Sequence, residues 1–189
     1  METAPCQETT SPQTMSEALG TADIVLVDTN VFVAVGDPER DKYQALRAVV
    51  QREGVILQVP ERVEAELRTM QMSNRVEREV EDGWAELVNP PELTDGDAVT
   101  AMDFTRRDIA NQTDKQEHEV EKADTVFAGL AIEYLKDDAG GSVVVLTDDK
   151  VAATAIQRAA DQQGYGESIT VLRLSAVIDD EIDDDFRMI

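Results

Sequence analysis

The sequence has few cysteines, histidines and long apolar runs, and each shortage excludes a class of protein. Its one cysteine, Cys6, can form no internal disulfide, which fits a reducing and cytoplasmic setting. Its one histidine, His118, lies in the polar stretch "DKQEHEVEK", which favours a surface residue over a catalyst. No apolar run approaches the roughly 18–20 residues that span a bilayer, so we expect no membrane segment.

Motifs for nucleotide cofactors are also absent. The chain has neither GxxxxGK[ST] nor GxGxxG, so binding of a nucleotide cofactor has no support. The stretch "DTNVF" lacks the second aspartate of the "DxDxT" motif, which argues against a phosphatase of the haloacid-dehalogenase type.

Positive charge is scarce, with 17 basic residues against 40 acidic ones and a net charge of −23. Taken alone, this balance argues against nucleic acid, which a basic surface normally attracts. In molar salt, however, the Debye length falls to about 3 Å and surface charge no longer governs association. The excess of carboxylates with few lysines therefore predicts a halophilic protein, the alternative being an acidic protein from ordinary salt.

The length of 189 residues and the hydrophobic content of 42% indicate one globular domain. We place this domain at residues 21–175. A polar N-terminal tail, 1–20, would precede it, and an acidic C-terminal tail, 176–189, would follow.

Four segments indicate buried strands, because their Val, Ile and Leu runs do not alternate with polar residues. They are 23–28, 54–60, 141–148 and 168–174. Segments with helical spacing lie between them. Strands that alternate with helices predict an α/β fold of three α/β/α layers around a mainly parallel sheet.

The middle of the chain, 72–119, departs from this alternation. It contains helical stretches but no convincing strand, so we predict a helical insertion between the second and third strand units. Trp84 is expected to anchor the core of this insertion.

Acidic residues recur where parallel strands end, which is where functional groups gather in such sheets. Asp28 ends the first strand, and Asp148 and Asp149 follow the strand at 143–147. Glu66 lies in the helix after Pro60, and Asp124 opens the helix at 120–136.

Helix phase separates two of these acids from ordinary surface residues. At about 100° per residue, Glu66 lies roughly 65° from the centre of a face formed by Val63, Leu67 and Met70. By the same rotation, Asp124 lies about 80° from the centre of its own apolar face.

Carboxylates gathered at one edge would repel each other, and burial would raise their pKa values. A divalent cation removes this penalty. Oxygen ligands without histidine or cysteine favour Mg²⁺ or Mn²⁺. Such a site can activate water and bind a phosphate oxygen, which predicts phosphodiester hydrolysis.

Four short stretches, taken in order, resemble the PIN-domain nucleases: "DTN" at 28–30, "VPERVEAELR", "ADTVFAGLA" and "VVLTDD". The similarity spans about residues 22–175. It implies a compact α/β/α domain whose acidic residues bind Mg²⁺ or Mn²⁺ and cut RNA, usually single-stranded.

Position by position, the resemblance assigns catalysis and metal binding to Asp28, Glu66, Asp124 and Asp149, with Asp148 as the alternative to the last. It assigns hydrogen-bonding support of the first aspartate to Asn30 and Thr147.

Arginines in or near the insertion could contact RNA phosphates. They are Arg68, Arg75, Arg78, Arg106 and Arg107. The alternative is that they pair with neighbouring acids on exposed helices.

The resemblance leaves the biological role open. Besides a ribonuclease, the chain could be a non-catalytic scaffold that binds RNA or a protein. It could also be the toxin of a toxin–antitoxin pair, although the small PIN toxins have a shorter linker where the insertion lies. Partners implied by the family are an RNA substrate, a second copy in a homodimer, and an antitoxin or RNA-processing protein.

Overall fold

The computed structural model describes residues 15–72, 74–120, 122–137 and 141–179. Within these residues, five strands form one parallel sheet in the order β3-β2-β1-β4-β5. The strands are β1 (Ile24–Val27), β2 (Leu57–Pro60), β3 (Ala85–Val88), β4 (Val143–Thr147) and β5 (Ile169–Arg173). The predicted parallel sheet is confirmed.

One helix precedes β1, and helices connect every pair of consecutive strands. They are α1 (Met15–Gly20), α2 (Thr29–Val35), α3 (Asp41–Glu53), α4 (Glu61–Thr69), α5 (Asn74–Glu81), α6 (Gly96–Thr113), α7 (Lys122–Lys136) and α8 (Lys150–Gln163). A short 3₁₀ helix, Glu117–Glu119, precedes α7, and residues 174–179 are again helical. Across the described residues, no helix is both long and apolar enough to cross a bilayer.

The strand order gives the fold its three layers. The chain passes from β1 to β2 and β3 on one side, then returns to β4 and β5 on the other. Because crossovers between parallel strands are right-handed, α2–α5 cover one face and α6–α8 the other. The helices pack within these two sets, as the contacts of α6 with α7 and α8 show. The expected three-layer α/β/α fold is confirmed.

The core of the sheet lies at β1 and β4, whose residues are all buried. Their registers run from Ile24 opposite Val143 to Val27 opposite Leu146. The backbone N–H of Asp28 then donates to the carbonyl of Leu146, at 3.0 Å. Asp28 therefore emerges at the carboxyl edge of the sheet, between the two strands where the direction of winding reverses, which is the usual place for a ligand site.

The region 72–119 differs from the prediction, because it contains β3 as well as α5 and α6. The expectation of a purely helical insertion is wrong at residues 85–88, which pair with β2 at the edge of the sheet. A four-residue edge strand with exposed Glu86 and Leu87 carries little of the apolar pattern of a buried strand. The turn at Asp82-Gly83, where Gly83 has φ +76°, was the available signal that the helix ends there.

The expected role of Trp84 as a core anchor is confirmed. Its side chain is 2% exposed and packs edge-on against Tyr43 of α3, with ring centroids 5.6 Å apart. This contact joins the start of β3 to the helices on the same face of the sheet.

Packed structure extends into both predicted tails. Residues 15–20 form α1, and Leu19 is completely buried. Val177 and Ile178 are also buried, after β5. Residues 1–14 and 180–189 of the predicted tails lie outside the described part of the chain.

Candidate metal centre

Asp28 is the centre of a hydrogen-bond network at the carboxyl edge of the sheet. It follows the buried strand β1 and stands before the first turn of α2, with extended backbone angles. Its Oδ2 accepts a hydrogen bond from the Thr147 hydroxyl at 2.8 Å and another from Asn30 Nδ2 at 3.2 Å. Both donors are the residues that the resemblance assigned to support this aspartate.

Thr147 connects Asp28 to the start of α8. The backbone N–H of Asp149 donates to Thr147 Oγ1 at 3.1 Å, so this hydroxyl accepts one bond and gives its single proton to Asp28. Thr147 is 1% exposed, so its hydroxyl is shielded from bulk solvent. The orientation of the hydroxyl is thus fixed by the fold.

Glu66 lies close enough to Asp28 to raise the pKa of its carboxyl group. Its Oε2 accepts a hydrogen bond of 2.6 Å from the hydroxyl of Thr29, which is buried in the first turn of α2. Its Oε1 lies 3.5 Å from the Arg62 guanidinium, one turn earlier in α4. The inward orientation expected from helix phase agrees with these contacts, although Met70, expected on the same apolar face, is exposed beyond the end of α4.

The pKa of Asp28 reflects this environment. Burial raises the pKa of its carboxyl above the usual range, and the nearby charge of Glu66 raises it further. The hydrogen bonds from Thr147 and Asn30 act in the opposite direction and favour the carboxylate. The hydrogen bonds to Asp28 therefore offset only part of the free-energy cost of its negative charge.

Asp148 and Asp149 border the same region. With Asn30, Val33 and Ala34 they line an open cleft of about 370 Å³, which we call the acidic cleft. Asp149 Oδ1 caps α8 by accepting from the amides of the next turn, at 2.7 and 2.9 Å.

Asp148 differs from Asp149 in its bonding. No hydrogen bond or ion pair links the half-buried Asp148 carboxylate to another part of the described chain. The structure thus gives Asp149 a defined orientation and leaves Asp148 without one.

Asp124 lies at the same edge of the sheet for a topological reason. α7 ends at Lys136 and β4 starts at Val143, so the helix runs opposite to the strand. Fifteen helical residues span about 22 Å, slightly more than β4, which brings the first turn of α7 to the carboxyl edge. Asp124 is half-buried in that turn.

Two of the arginines considered for RNA contact pair with acids on their own helices. Arg68 bonds to Glu64, and Arg106 lies 3.2 Å from Asp103. Arg78 and Arg107 are exposed. The side chain of Arg75 lies outside the described part of the chain.

Thr29, the middle residue of "DTN", was not predicted from the sequence as a site residue. Its buried hydroxyl orients Glu66 across the site, from a different element of the fold. The signal was its position directly after Asp28, in the first turn of α2. The short side chain of Thr29 places its hydroxyl against Glu66, whereas a longer side chain at this position would displace Glu66.

The chemistry of these residues fits a hard divalent cation. The carboxylates supply oxygen ligands only, which Mg²⁺ and Mn²⁺ prefer. The raised pKa of Asp28 beside Glu66 marks a place where added positive charge would be stabilising. Across the described residues, however, no three acidic, histidine or cysteine side chains are grouped as a complete metal site.

Comparison with known proteins identifies the family. The family model described as "Halobacterial PIN domain" matches residues 21–186. No curated protein and no solved structure matches the chain. The match accords with the halophilic character predicted from the acidic composition and with the PIN resemblance of the four motifs. Because it covers most of the 189 residues, the chain belongs to the halobacterial PIN-domain family.

Proposed function

We propose that this chain is a cytoplasmic endoribonuclease that hydrolyses phosphodiester bonds of single-stranded RNA with Mg²⁺ or Mn²⁺. The observation that carries the proposal is the environment of Asp28. Its carboxylate follows a buried strand and lies near Glu66, and the hydrogen bonds that it accepts within the described chain come from neutral donors. A structural aspartate at such a place would be expected to have a cationic partner.

The metal ligands we propose come from the ends of two strands, β1 and β4, and from two helices, α4 and α7. Asp28, Glu66 and Asp149 would bind the cation, with Asp148 as the alternative to Asp149 and Asp124 as a further ligand from α7. When bound, Mg²⁺ or Mn²⁺ supplies positive charge for a phosphate group and increases the acidity of water.

The residues around these acids hold them in place. Thr147 and Asn30 both donate to Asp28 Oδ2, and the backbone of Thr29 also donates to the Asp28 carboxylate. Thr29 orients Glu66 in the same way from α2. Orientation by fixed neighbours keeps a ligand set in position before the substrate arrives.

A scaffold without catalysis is the second candidate, and one observation favours it. The described side chains do not form an assembled group of three metal ligands. Calorimetric titration with Mn²⁺ distinguishes the two candidates. Binding at micromolar to millimolar Mn²⁺ that Asp28→Asn weakens supports the enzyme, whereas equal or absent heats in both proteins support the scaffold.

The direct test is cleavage of a labelled single-stranded RNA in molar KCl, with Mn²⁺ compared with EDTA. We expect metal-dependent cleavage that falls by about 100-fold or more in Asp28→Asn, because an amide cannot replace the charge of a metal ligand.

A matched control is Asp82→Asn, at the start of β3 and thus at the opposite edge of the sheet. It removes the same charge and one exposed ion pair with Arg47, and should retain full activity. Undiminished cleavage by Asp28→Asn would contradict the proposal.

The toxin role, the homodimer and the antitoxin or RNA-processing partner remain predictions from the family resemblance. A small antitoxin gene beside this one would favour the toxin role.

A further inference from the structure

A second groove adjoins the acidic cleft. It has a volume of about 450 Å³ and shares Val33 and Ala34 with the cleft as lining residues. It continues from α2 along the loop at 36–40 to the first turn of α3. A chain that crosses the acidic cleft over Val33 would enter this groove next.

The groove contains two basic side chains, Arg40 and Lys42, and both are exposed. Neither forms an ion pair within the part of the chain that the structure describes. Of the other twelve described lysine and arginine side chains, seven pair with acids and five do not. What distinguishes Arg40 and Lys42 is their position, because both line the groove that adjoins the acidic cleft.

The loop holds Arg40 against the backbone. Gly36 has φ +72°, and a Cβ added there would lie 3.2 Å from Arg40 Cγ. The absence of a side chain at Gly36 therefore lets the stem of Arg40 lie over the loop. Gln44 Nε2 also donates to the carbonyl of Pro38 at 2.6 Å, which ties this loop to α3.

The two adjoining surfaces differ in charge. The charged lining residues of the acidic cleft are Asp148 and Asp149, whereas in the groove Asp37 and Asp41 balance the two cations. A phosphate beside the cleft would meet only negative charge without a metal, but in the groove it would meet guanidinium and ammonium donors.

We infer that this groove binds the RNA strand beside the scissile bond, with Arg40 and Lys42 contacting backbone phosphates. The inference rests on the proposed function, because single-stranded RNA is its ligand. Val33, 46% exposed on α2, lies between cleft and groove and offers an apolar surface to a ribose or base. The RNA strand would thus run from Asp148 and Asp149, over Val33 of α2, to Arg40 and Lys42.

The test is binding of a short fluorescein-labelled single-stranded RNA, followed by anisotropy with Mn²⁺ present and in an Asp28→Asn background that prevents turnover. We expect Arg40→Gln and Lys42→Gln each to raise Kd by about tenfold, the size of one lost charge-assisted hydrogen bond. The slope of log Kd against log salt should also fall by about 0.7 for each lost phosphate contact. Glutamine keeps the side-chain carbons of Arg40 that lie over Gly36, so the loop is preserved.

The matched control is Arg52→Gln, which removes the same charge near the other end of α3, about 15 Å away along the helix axis. It should bind as tightly as its Asp28→Asn parent. Arg40→Lys should recover most of the affinity, because it restores the charge.

Cleavage by the same variants with native Asp28 separates this inference from the proposed function. Metal-dependent cleavage with unchanged RNA affinity in Arg40→Gln and Lys42→Gln would overturn the groove assignment and leave the nuclease standing. Weakened binding without any cleavage by the wild type would support the groove and overturn the nuclease. Absence of RNA binding by the parent protein would overturn the groove assignment.

Discussion

The two edges of the sheet each gather acidic side chains, but they compensate the negative charge differently. At the amino edge, Lys136 at the end of α7 donates to Asp95 and Asp97 at the start of α6, each at 2.7 Å. Tyr165, after α8, donates to Asp97 at 3.0 Å. The buried Glu133 accepts the amides of Thr94 and Asp95.

The pKa values of the aspartates at the two edges shift in opposite directions. The hydrogen bonds from Lys136 lower the pKa of Asp95 and of Asp97 below the usual range. At the carboxyl edge, burial raises the pKa of Asp28, and its partners Thr147 and Asn30 are neutral. Lys136 pairs directly with both aspartates of the amino edge. At the carboxyl edge, by contrast, Arg62 pairs with Glu66, and the side chains that donate to Asp28 are a hydroxyl and an amide.

This contrast distinguishes a structural cluster from a candidate binding site. A cluster with Lys136 in it stabilises the junction of α6, α7 and the loop after α8 without further ligands. The cluster around Asp28 would gain most from a cation that comes from solution. Substitutions at each edge can test whether the carboxyl edge acts through such a cation.

The largest expected effect concerns Asp149 and Asp148 in RNA cleavage. We expect Asp149→Asn to lower metal-dependent cleavage by about 100-fold, because Asp149 is oriented by α8 and linked through Thr147 to Asp28. Asp148→Asn should lower it by about tenfold or less, since that carboxylate is not held by the described chain. Single-turnover cleavage rates would provide the comparison.

The melting temperature of Asp149→Asn serves as the control for its helix-capping role. Asparagine is as good a helix cap as aspartate, so the melting temperature should not change. If Asp148→Asn proved the more damaging variant, the fourth ligand would be Asp148, and the cap of α8 would be the main role of Asp149.

The fold was predictable where the sequence carries strong local patterns. Apolar runs such as 143–147 predict buried strands, and the alternation of strands with helices then predicts a parallel sheet. β3 was missed because Glu86 and Leu87 of this edge strand face solvent, and its pairing with β2 depends on residues far away in sequence. Edge strands are specified more by tertiary contacts than by their own composition.

The candidate site was predictable as a set of strand ends and less so as a set of contacts. Asp28, Asp148 and Asp149 could be placed at one edge because parallel strands share a carboxyl edge. Asn30 and Thr147, in contrast, were assigned to Asp28 only by the family resemblance. The bond from Thr29 to Glu66 depends on the packing of α2 against α4, which no local pattern contains. The capping role of Asp149 was also missed, although an aspartate directly before a helix is its usual signal.

A smaller effect is expected when the internal cation of the amino edge is removed. Lys136→Gln should lower the melting temperature by about 3–5 °C at pH 7, because Asp95 and Asp97 lose a shared charged donor. Cleavage should be unchanged, since this cluster lies at the other edge of the sheet. Thermal melts monitored by circular dichroism would measure the change.

The pH dependence of this effect has a definite sign. Asp95 and Asp97 have lowered pKa values in the folded chain, so their stabilisation is present above the ordinary aspartate pKa of about 3.9 and is lost as the pH falls through the folded values. The difference between wild type and Lys136→Gln should therefore narrow below about pH 4. A constant difference from pH 7 to acid would show that the charges of these aspartates contribute nothing.

The smallest effect has the opposite sign and concerns Asp28 without metal. In EDTA at pH 7, Asp28→Asn should raise the melting temperature by about 2–3 °C, because the folded chain no longer holds a partly buried charge near Glu66. A raised pKa stabilises the fold below the ordinary value and loses that contribution as the pH rises through the folded value. The gain should thus grow as the pH rises above about 4 and vanish below that value.

Addition of Mn²⁺ should reverse the order of the two proteins. The wild type should gain melting temperature as the cation binds to the folded state, and Asp28→Asn should gain less because it has lost one ligand. A melting temperature that Asp28→Asn lowers in EDTA would mean that the carboxylate stabilises the fold by itself, as the acids around Lys136 do. The two edges of the sheet would then be alike, and the case for an external cation at Asp28 would lose its physical basis.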